Sequence, residues 1–385
     1  MKNSRYLLPL FLAVMASCTS KGSSDRIEKN EAFSYTIDTV MVDAGDQFIY
    51  LNNLLTSSGQ SPDDNYLYNF NRNQATLELI NLEKLSLEKI IPYEKEGPNG
   101  IGSGMISKVV DIGSDKLIFS DSYQVSTVDM NGKKIAGFIY AKQEFEGEKL
   151  PEDKRIRLEE TFSKDGKTLV ALYGGLKIDD TADGLAIFDL EKKQVRYHPI
   201  DLFKELEKFQ TVFYFEGVHP IQMYMADIKL QLKGDTLIYS NTAQNKVYFF
   251  QLSTNKLNSK SFSSKYTSQE AEGNYPKRSD NEEEFKEITK VKEKEVNYGR
   301  FFFDDVNEVY WRFSKEMDKM NGDSIVFKTI LTAFDSNFNQ LHEELLPSNF
   351  ILPQKYFSRK GMIYTFLNID DELAFVRLKP TISYE

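Results

Sequence analysis

Apolar and polar positions alternate along this chain with a period of two, in short packets separated by turn-forming residues. Leu77, Leu79 and Leu82 mark one packet, and Val125, Thr127 and Asp129 mark another. A period of two sends successive side chains to opposite faces of a strand, so each packet predicts β structure. The packets group into a unit that recurs from about residue 33. Each copy has a short aromatic or β-branched strand, a polar turn, a second strand ending in Asp or Asn plus an apolar residue, another turn and a third strand. Copies occupy residues 66–93, 116–139, 168–200, 236–262, 309–346 and 362–380. Asn131-Gly132 predicts a two-residue hairpin of type I′, which needs positive φ at both central positions. Glu191-Lys192-Lys193, Thr254-Asn255-Lys256 and Ser336-Asn337-Phe338-Asn339 hold the equivalent place.

Units spaced irregularly by about 40 to 80 residues predict an all-β fold, a six-bladed β-propeller with about four strands per blade. One blade cannot bury both of its faces alone, so blades stack around an axis and share a core. The last copy stops short of an outer strand, while residues 33–42 (FSYTIDTVMV) form a strand with no hairpin partner nearby. That N-terminal strand is expected to complete the final blade, which closes the ring and removes two exposed sheet edges. Two segments interrupt the β pattern. Residues 201–209 predict a short helix capped by Asp201, with Leu202, Phe203, Leu206 and Phe209 at helical spacing. Residues 264–297 are highly charged. Within them Ser279 or Asp280 starts a helix whose early Glu282, Glu283 and Glu284 and late Lys290, Lys292 and Lys294 complement the helix dipole. Phe285, Ile288 and Val291 give it a thin apolar stripe, as for a solvated insertion between blades or, in the alternative, a partner-binding helix.

Residues 94–135 (EKEGPNGIGSGMISKVVDIGSDKLIFSDSYQVSTVDMNGKKI) resemble a blade transition in six-bladed TolB-like or NHL-type propellers. There a Gly-Pro-Gly-type loop precedes a strand pair that ends in an Asp-x-x-Gly-Lys turn. The wider pattern resembles an uncharacterised family of such propellers found as envelope lipoproteins in Gram-negative bacteria. The resemblance implies architecture over most of the chain and carries no catalytic residue set onto it.

The N-terminus departs from this pattern. Lys2 and Arg5 precede the apolar run from Tyr6 to Ala16, and Ala16-Ser17 lead into Cys18, the sole cysteine of the 385 residues. An apolar run of this length is too short to cross a bilayer, which takes about 20 residues. It reads as a secretory signal over residues 1–17. The cleavage region resembles the lipobox of bacterial lipoproteins, although Met15 stands where Leu is usual; the resemblance implies acylation of Cys18. Two or more acyl chains make a stable anchor, at about 0.8 kcal/mol per buried methylene. Residues 18–32 are small, polar and charged and read as a flexible tether, and residues 33–385 as one propeller domain. The expected location is the bacterial cell envelope, with the protein lipid-anchored to the outer membrane. With Cys18 acylated, no thiol remains for a disulfide or a thiolate metal site.

Composition narrows the partners. The chain has 48 Lys and Arg against 58 Asp and Glu, a net charge of −10. Nucleic acid and anionic lipid surfaces need basic patches, so neither is an expected partner, and membrane contact is expected through the anchor alone. The 28 Phe and 21 Tyr favour pleated, half-buried surfaces. Of the three histidines, His219 lies in an expected inter-blade loop, and no Gly-x-Ser-x-Gly elbow supports a hydrolytic triad around it. Asp179-Asp180-Thr181-Ala182-Asp183-Gly184 alternates carboxylates before a glycine, but Leu190 stands at the twelfth position, where a calcium loop has Glu. It reads as a hairpin turn, as do Asp304-Asp305 and Asp370-Asp371, and no metal or cofactor is expected. Gly97-Pro98-Asn99-Gly100 lacks the Lys of a phosphate loop and reads as a connection at the propeller mouth.

Candidate binding residues are therefore those expected at the mouth: Asn99, Tyr123, His219, Arg300 and Trp311. The reading is a non-enzymatic binding module for a protein, peptide or glycan. An envelope hydrolase or lyase on the same scaffold is one alternative, since fold does not fix function; a structural assembly subunit docking through residues 280–295 is another. Cys18→Ala is expected to move the protein from the membrane fraction to the soluble fraction, checked by fractionation and a high-salt wash. Retention of the variant on washed membranes refutes the anchor.

Overall fold

A computed structural model describes residues 32–102, 105–352 and 354–383. The expected signal at 1–17 and nearly all of the expected tether at 18–32 lie outside the described residues. The first element among the described residues is strand β1 (Ala32–Met41). Blade 1 follows as β2 (Ser58–Gln60), β3 (Tyr66–Asn71), β4 (Thr76–Asn81) and β5 (Ser86–Pro92). Blade 2 is β6 (Lys108–Asp111), β7 (Lys116–Ser120), β8 (Gln124–Asp129) and β9 (Lys134–Ile139). Blade 3 comprises β10 (Glu146–Gly147), β11 (Lys154–Phe162), β12 (Thr168–Gly175), β13 (Ala182–Asp189) and β14 (Gln194–Pro199), with β10 parallel outside β14. After a 3-10 helix (Asp201–Phe209) come β15 (Thr211–Phe215) and β16 (His219–Tyr224). Blade 4 is β17 (Ile228–Lys233), β18 (Thr236–Asn241), β19 (Lys246–Gln251) and β20 (Lys256–Ser261). Then β21 (Arg278–Ser279) joins β15 and β16 in a three-stranded accessory sheet, and helix α1 (Glu282–Lys294) follows. Blade 5 is β22 (Asn297–Asp304), β23 (Val309–Asn321), β24 (Ser324–Phe334) and β25 (Gln340–Leu345); blade 6 is β26 (Tyr356–Arg359), β27 (Met362–Ile369) and β28 (Glu372–Ser383), with β1 added outside β28.

The first five sequence units correspond to the second, third and fourth strands of their blades, and the sixth to the second and third strands of blade 6. What they omit is the innermost strand: β2, β6, β11, β17, β22 or β26. Some are short (Ser58-Gly59-Gln60 and Lys108–Asp111), whereas β17 (IKLQLK) alternates and β22 (NYGRFFFD) is aromatic, so the units left out strands that carry a signal as well as strands that carry little.

Alternation within a strand now has a concrete meaning, because each face of a blade feeds a different core. Leu67 and Ile80 pack with Phe357, Tyr364 and Phe375 of blade 6, while Phe70, Leu77 and Leu79 pack with Val109, Leu117 and Phe119 of blade 2. Further layers join blades 2 and 3 through Ile118 and Leu169, and blades 3 and 4 through Val170, Leu185 and Leu237. Blades 4 and 5 meet through Ile238, Val247 and Phe334, and blades 5 and 6 through Trp311, Phe313 and Ile363. A one-residue slip in any strand would exchange two layers at once. In the layer between blades 4 and 5 the fully buried Arg312 has aromatic rings for neighbours, with Tyr298 and Phe301 each centred 4.7 Å from its guanidinium. Burial lowers its pKa to about 10.

Turn chemistry differs from expectation at Asn131-Gly132. Gly132 has φ +85° but Asn131 is not in the left-handed region, and β8 and β9 are separated by a longer turn. Asp129 decides it: its Oδ1 accepts the N–H of Asn131 and of Lys133, both at 2.9 Å. Two-residue hairpins with positive φ at both positions occur instead at Asp370-Asp371 and Lys360-Gly361. The helix caps also shift. Asn281, not Ser279 or Asp280, caps α1 by accepting from Glu283 and Glu284, and Asp201 lies inside its 3-10 helix, whose cap is Ile200. On α1, Phe285 and Ile288 are buried and Val291 is exposed.

Strand β1 pairs antiparallel with β28 from Ala32↔Ser383 to Met41↔Ala374. It lays Tyr35 against the layer between blades 5 and 6 and Val40 against the layer between blades 6 and 1. Arg377 Nε donates to Asp38 Oδ1 at 2.8 Å across the pair. Across the seam, Arg359 reaches Asp64 O at 2.7 Å, and its guanidinium together with Lys360 holds Glu83 of blade 1. Deleting residues 32–41 is expected to abolish the cooperative thermal transition or cause aggregation, because it uncovers the edge of β28 and opens two core layers. Deleting 19–31 is expected to leave Tm unchanged. Calorimetry on both deletions checks the pair of outcomes; an unaltered transition without β1 refutes this role.

Candidate functional site

In an antiparallel meander, connections alternate between the two ends. All six connections between blades and all second-to-third-strand turns therefore lie on one face, here called the wide face. First-to-second and third-to-fourth turns lie on the opposite, narrow face. The long segments 42–57, 93–107, 140–153, 200–227, 262–296 and 346–355 all belong to the wide face. Its connections hold the exposed side chains of Phe48, Leu54, Met105, Tyr123, Leu176, Phe215, Val218, Ile221, Tyr224 and Ile351. Among the described residues, Val306 is the one exposed large apolar side chain in a narrow-face turn.

The expected site residues distribute unequally. Asn99 is half-buried in the connection between blades 1 and 2, Tyr123 is exposed in the wide-face turn of blade 2, and His219 is exposed on β16. Arg300 lies on the inner strand β22. Trp311 leaves the group: it is fully buried near the narrow end of β23, where its Nε1 donates to Asp304 Oδ2 at 3.2 Å. Its large apolar surface belongs to a core layer, and Asp304, expected only as a turn residue, supplies the acceptor its N–H needs. The His198 ring lies tilted against Phe250 with centroids 4.7 Å apart, and burial lowers its pKa.

A ring of inner-strand residues was not legible beforehand. Ser58, Val109, Glu160, Leu230, Phe301 and Tyr356 each pair with the equivalent position of the neighbouring strand in their blade. One residue earlier stand Ser57, Lys108, Glu159, Lys229, Arg300 and Lys355. Three of the cations stitch one blade to the next. Lys108 Nζ donates to Glu160 O, Arg300 Nη2 to Tyr356 O, and Lys355 Nζ to Ser58 O at 2.9 Å. Glu159 breaks the series at a bulge in β11, with φ +84°. Burial pushes its carboxyl up, against the pull of Lys229 and Lys108. Lys355 is held well below the usual lysine range, chiefly by burial and then by the charge of Arg300.

Beside this ring a cavity of about 850 Å³ opens on the wide face between blades 2, 3 and 4. Tyr123, Phe138, Tyr140, Phe145, Leu176 and Met223 supply much of its apolar wall, and Arg155, Arg157, Glu159 and Asp227 reach it from β11 and the start of blade 4. Arg157 Nη1 lies 3.3 Å from Gly175 O. The Tyr140 hydroxyl is buried without a hydrogen-bond partner among the described residues, and burial raises its pKa strongly. Of the five expected residues, Tyr123 lines this cavity. A second, polar groove of about 800 Å³ adjoins it and shares Lys154 and Leu176. The arrangement can enclose an apolar group and offer it flanking charges; no cluster of three or more metal-ligating side chains occurs among the described residues. No helix among them is long and apolar enough to cross a membrane.

Residues 30–345 match the family model described as a domain of unknown function, DUF4221. A crystal structure of a member of that family from Bacteroides vulgatus is 14% identical, covers 92% of this chain and 100% of its own, and superposes with a TM-score of 0.64. The β-propeller domain of Cps50 (Swd1) from Myceliophteria thermophila is 7% identical over 88% of this chain and 99% of that one, with a TM-score of 0.41. The WD40 domain of Neurospora crassa Pan2 is 9% identical over 84% and 88%, with a TM-score of 0.39. These likenesses concern the fold. No curated protein matches the sequence.

The ring generates a pH test. With the folded-state pKa of Lys355 below its ordinary value of 10.5, the unfolded chain binds more protons in the interval between the two. Stability therefore rises with pH through that interval. The stability of the wild type relative to Lys355→Met is expected to grow as pH is raised toward 10.5. Denaturant unfolding of both proteins at several pH values measures it; a constant difference refutes the assignment.

Proposed function

We propose that this chain, which belongs to the DUF4221 family, is a lipid-anchored envelope propeller that binds a protein or peptide partner on its wide face. The observation that carries this reading is the uneven placement of exposed apolar side chains: they gather on wide-face connections such as those of Phe48, Tyr123, Phe215 and Ile351. Exposed apolar side chains gathered on one face are the mark of an interaction surface. Propellers commonly act as interaction scaffolds, which agrees with this reading without naming a partner.

The direction of β1 adds orientation. It is the outer strand of blade 6 and runs from the narrow face to the wide face, since Ala32 opposes Ser383 and Met41 opposes Ala374. A tether from Cys18 therefore joins the narrow-face end. Fourteen residues span at most roughly 50 Å when extended. An anchor there would leave the apolar wide face turned away from its own membrane and open to a partner.

Photo-crosslinking in intact cells tests the reading. A benzoylphenylalanine at Tyr123 or Ile351 is expected to give a discrete adduct, and one at Val306 on the narrow face is expected to give none. Adducts at Val306 alone, or equally from both faces, refute it.

A further inference from the structure

We infer that the polar groove beside the cavity takes the ammonium or guanidinium of a basic side chain, so that the partner docks a peptide segment combining a large apolar residue with a lysine or arginine. This rests on the wide-face reading and names its ligand chemistry. The groove lies between the wide-face turn of blade 3 and the 3-10 helix, and Asp179, Asp183, Glu207 and Gln210 line it. Gln210 is only 9% exposed. Its Nε2 donates to Asp179 O at 2.8 Å, but its Oε1 has no hydrogen-bond donor among the described residues. Asp179 repeats the pattern: Oδ2 takes the hydroxyl of Tyr214, while Oδ1 is buried without a hydrogen bond. Two buried acceptors lacking donors beside one groove are costly unless something brings N–H groups to them.

Most of the lysines that line the groove already have partners, Lys154 with a carboxylate of the groove itself. Lys154 pairs with Asp183 at 2.9 Å, Lys204 with Asp201 at 3.1 Å, and Lys277 donates to the carbonyls of Lys208 and Gly273. Lys177 is exposed. The carboxylates do not converge as a metal set, since no metal-ligating cluster occurs among the described residues. An ammonium or guanidinium brings several donors in one group and suits a charged acceptor. Long-range charge favours it too: the chain carries −10 overall, and Glu144, Glu148, Glu152, Glu159 and Asp227 outnumber Lys154, Arg155 and Arg157 around the adjoining cavity. The cavity's aromatic wall then receives the apolar residue of the same segment.

Fluorescence anisotropy on the full chain tests this with labelled, end-capped peptides that hold one phenylalanine and one lysine at several spacings, each compared with its norleucine analogue. The lysine form is expected to bind about tenfold tighter. Asp179→Asn is expected to erase that preference, and Gln210→Glu to enlarge it, with thermal melts showing that both variants fold. Tyr123→Ala is expected to weaken both peptides alike. Equal binding of lysine and norleucine forms, or a preference that survives Asp179→Asn, overturns the inference. If Tyr123→Ala still weakens binding in that case, the wide-face reading stands and only the basic ligand falls. Binding of none of the lysine peptides also overturns the inference, while crosslinking at Ile351 judges the face independently.

Discussion

The inner strands are the constraint on which this structure depends. Every blade ends toward the axis in a strand with one unpaired edge, and an unpaired edge leaves backbone groups without partners. The ring residues meet this need from the neighbouring blade, with Lys108, Arg300 and Lys355 each donating to the carbonyl of the next inner strand. Gln231 does the same for Phe301 O. Between blades 1 and 2 close approach replaces a long side chain: a Cβ on Gly59 would collide with Val109 O. Cations near the axis of an acidic protein are thus first a way of satisfying edges, which is why the ring itself is not assigned a ligand.

The meander imposes the second asymmetry. A four-strand blade returns its chain to the same end at which it began, so every long connection collects on one face. Insertions can grow there without disturbing the blades, as the accessory sheet and α1 do. Some apolar residues of those connections, such as Leu55, Ile106, Phe145 and Phe209, cap the core layers, while others, such as Phe48, Met105, Val218 and Ile351, lie exposed on that face. Closure by β1 fixes the opposite face as the one from which the N-terminal segment departs.

Much of the fold was legible because short runs of β-branched and aromatic residues between turn signals mark strands even where both faces are buried. Strands such as β3, β12, β18 and β27 carry apolar residues on both faces, and the turns between them carry Asp and Asn that accept backbone N–H groups. The pairing of the N-terminal strand with the last blade was also readable, since a strand without a hairpin neighbour must find a distant edge. The site was far less legible. Tyr123 lines the cavity and Trp311 sits in the core, although both are aromatics in comparable strand-and-turn settings.

Sequence alone determined the β class, the repeating unit, the outer strand and the helix near residue 285, because these depend on local periodicity and turn chemistry. It did not give the inner strands, whose polar residues, such as Lys108, Gln231, Arg300 and Lys355, are used in contacts with the next blade. Nor could it place Lys108, Glu159, Lys229, Arg300 and Lys355 in one ring, or bring Gln210 to Asp179, because register across blades relates residues far apart in the chain. Those juxtapositions arise only when six sheets pack around one axis, where burial and the need to satisfy edge carbonyls, rather than local preference, decide which side chains meet.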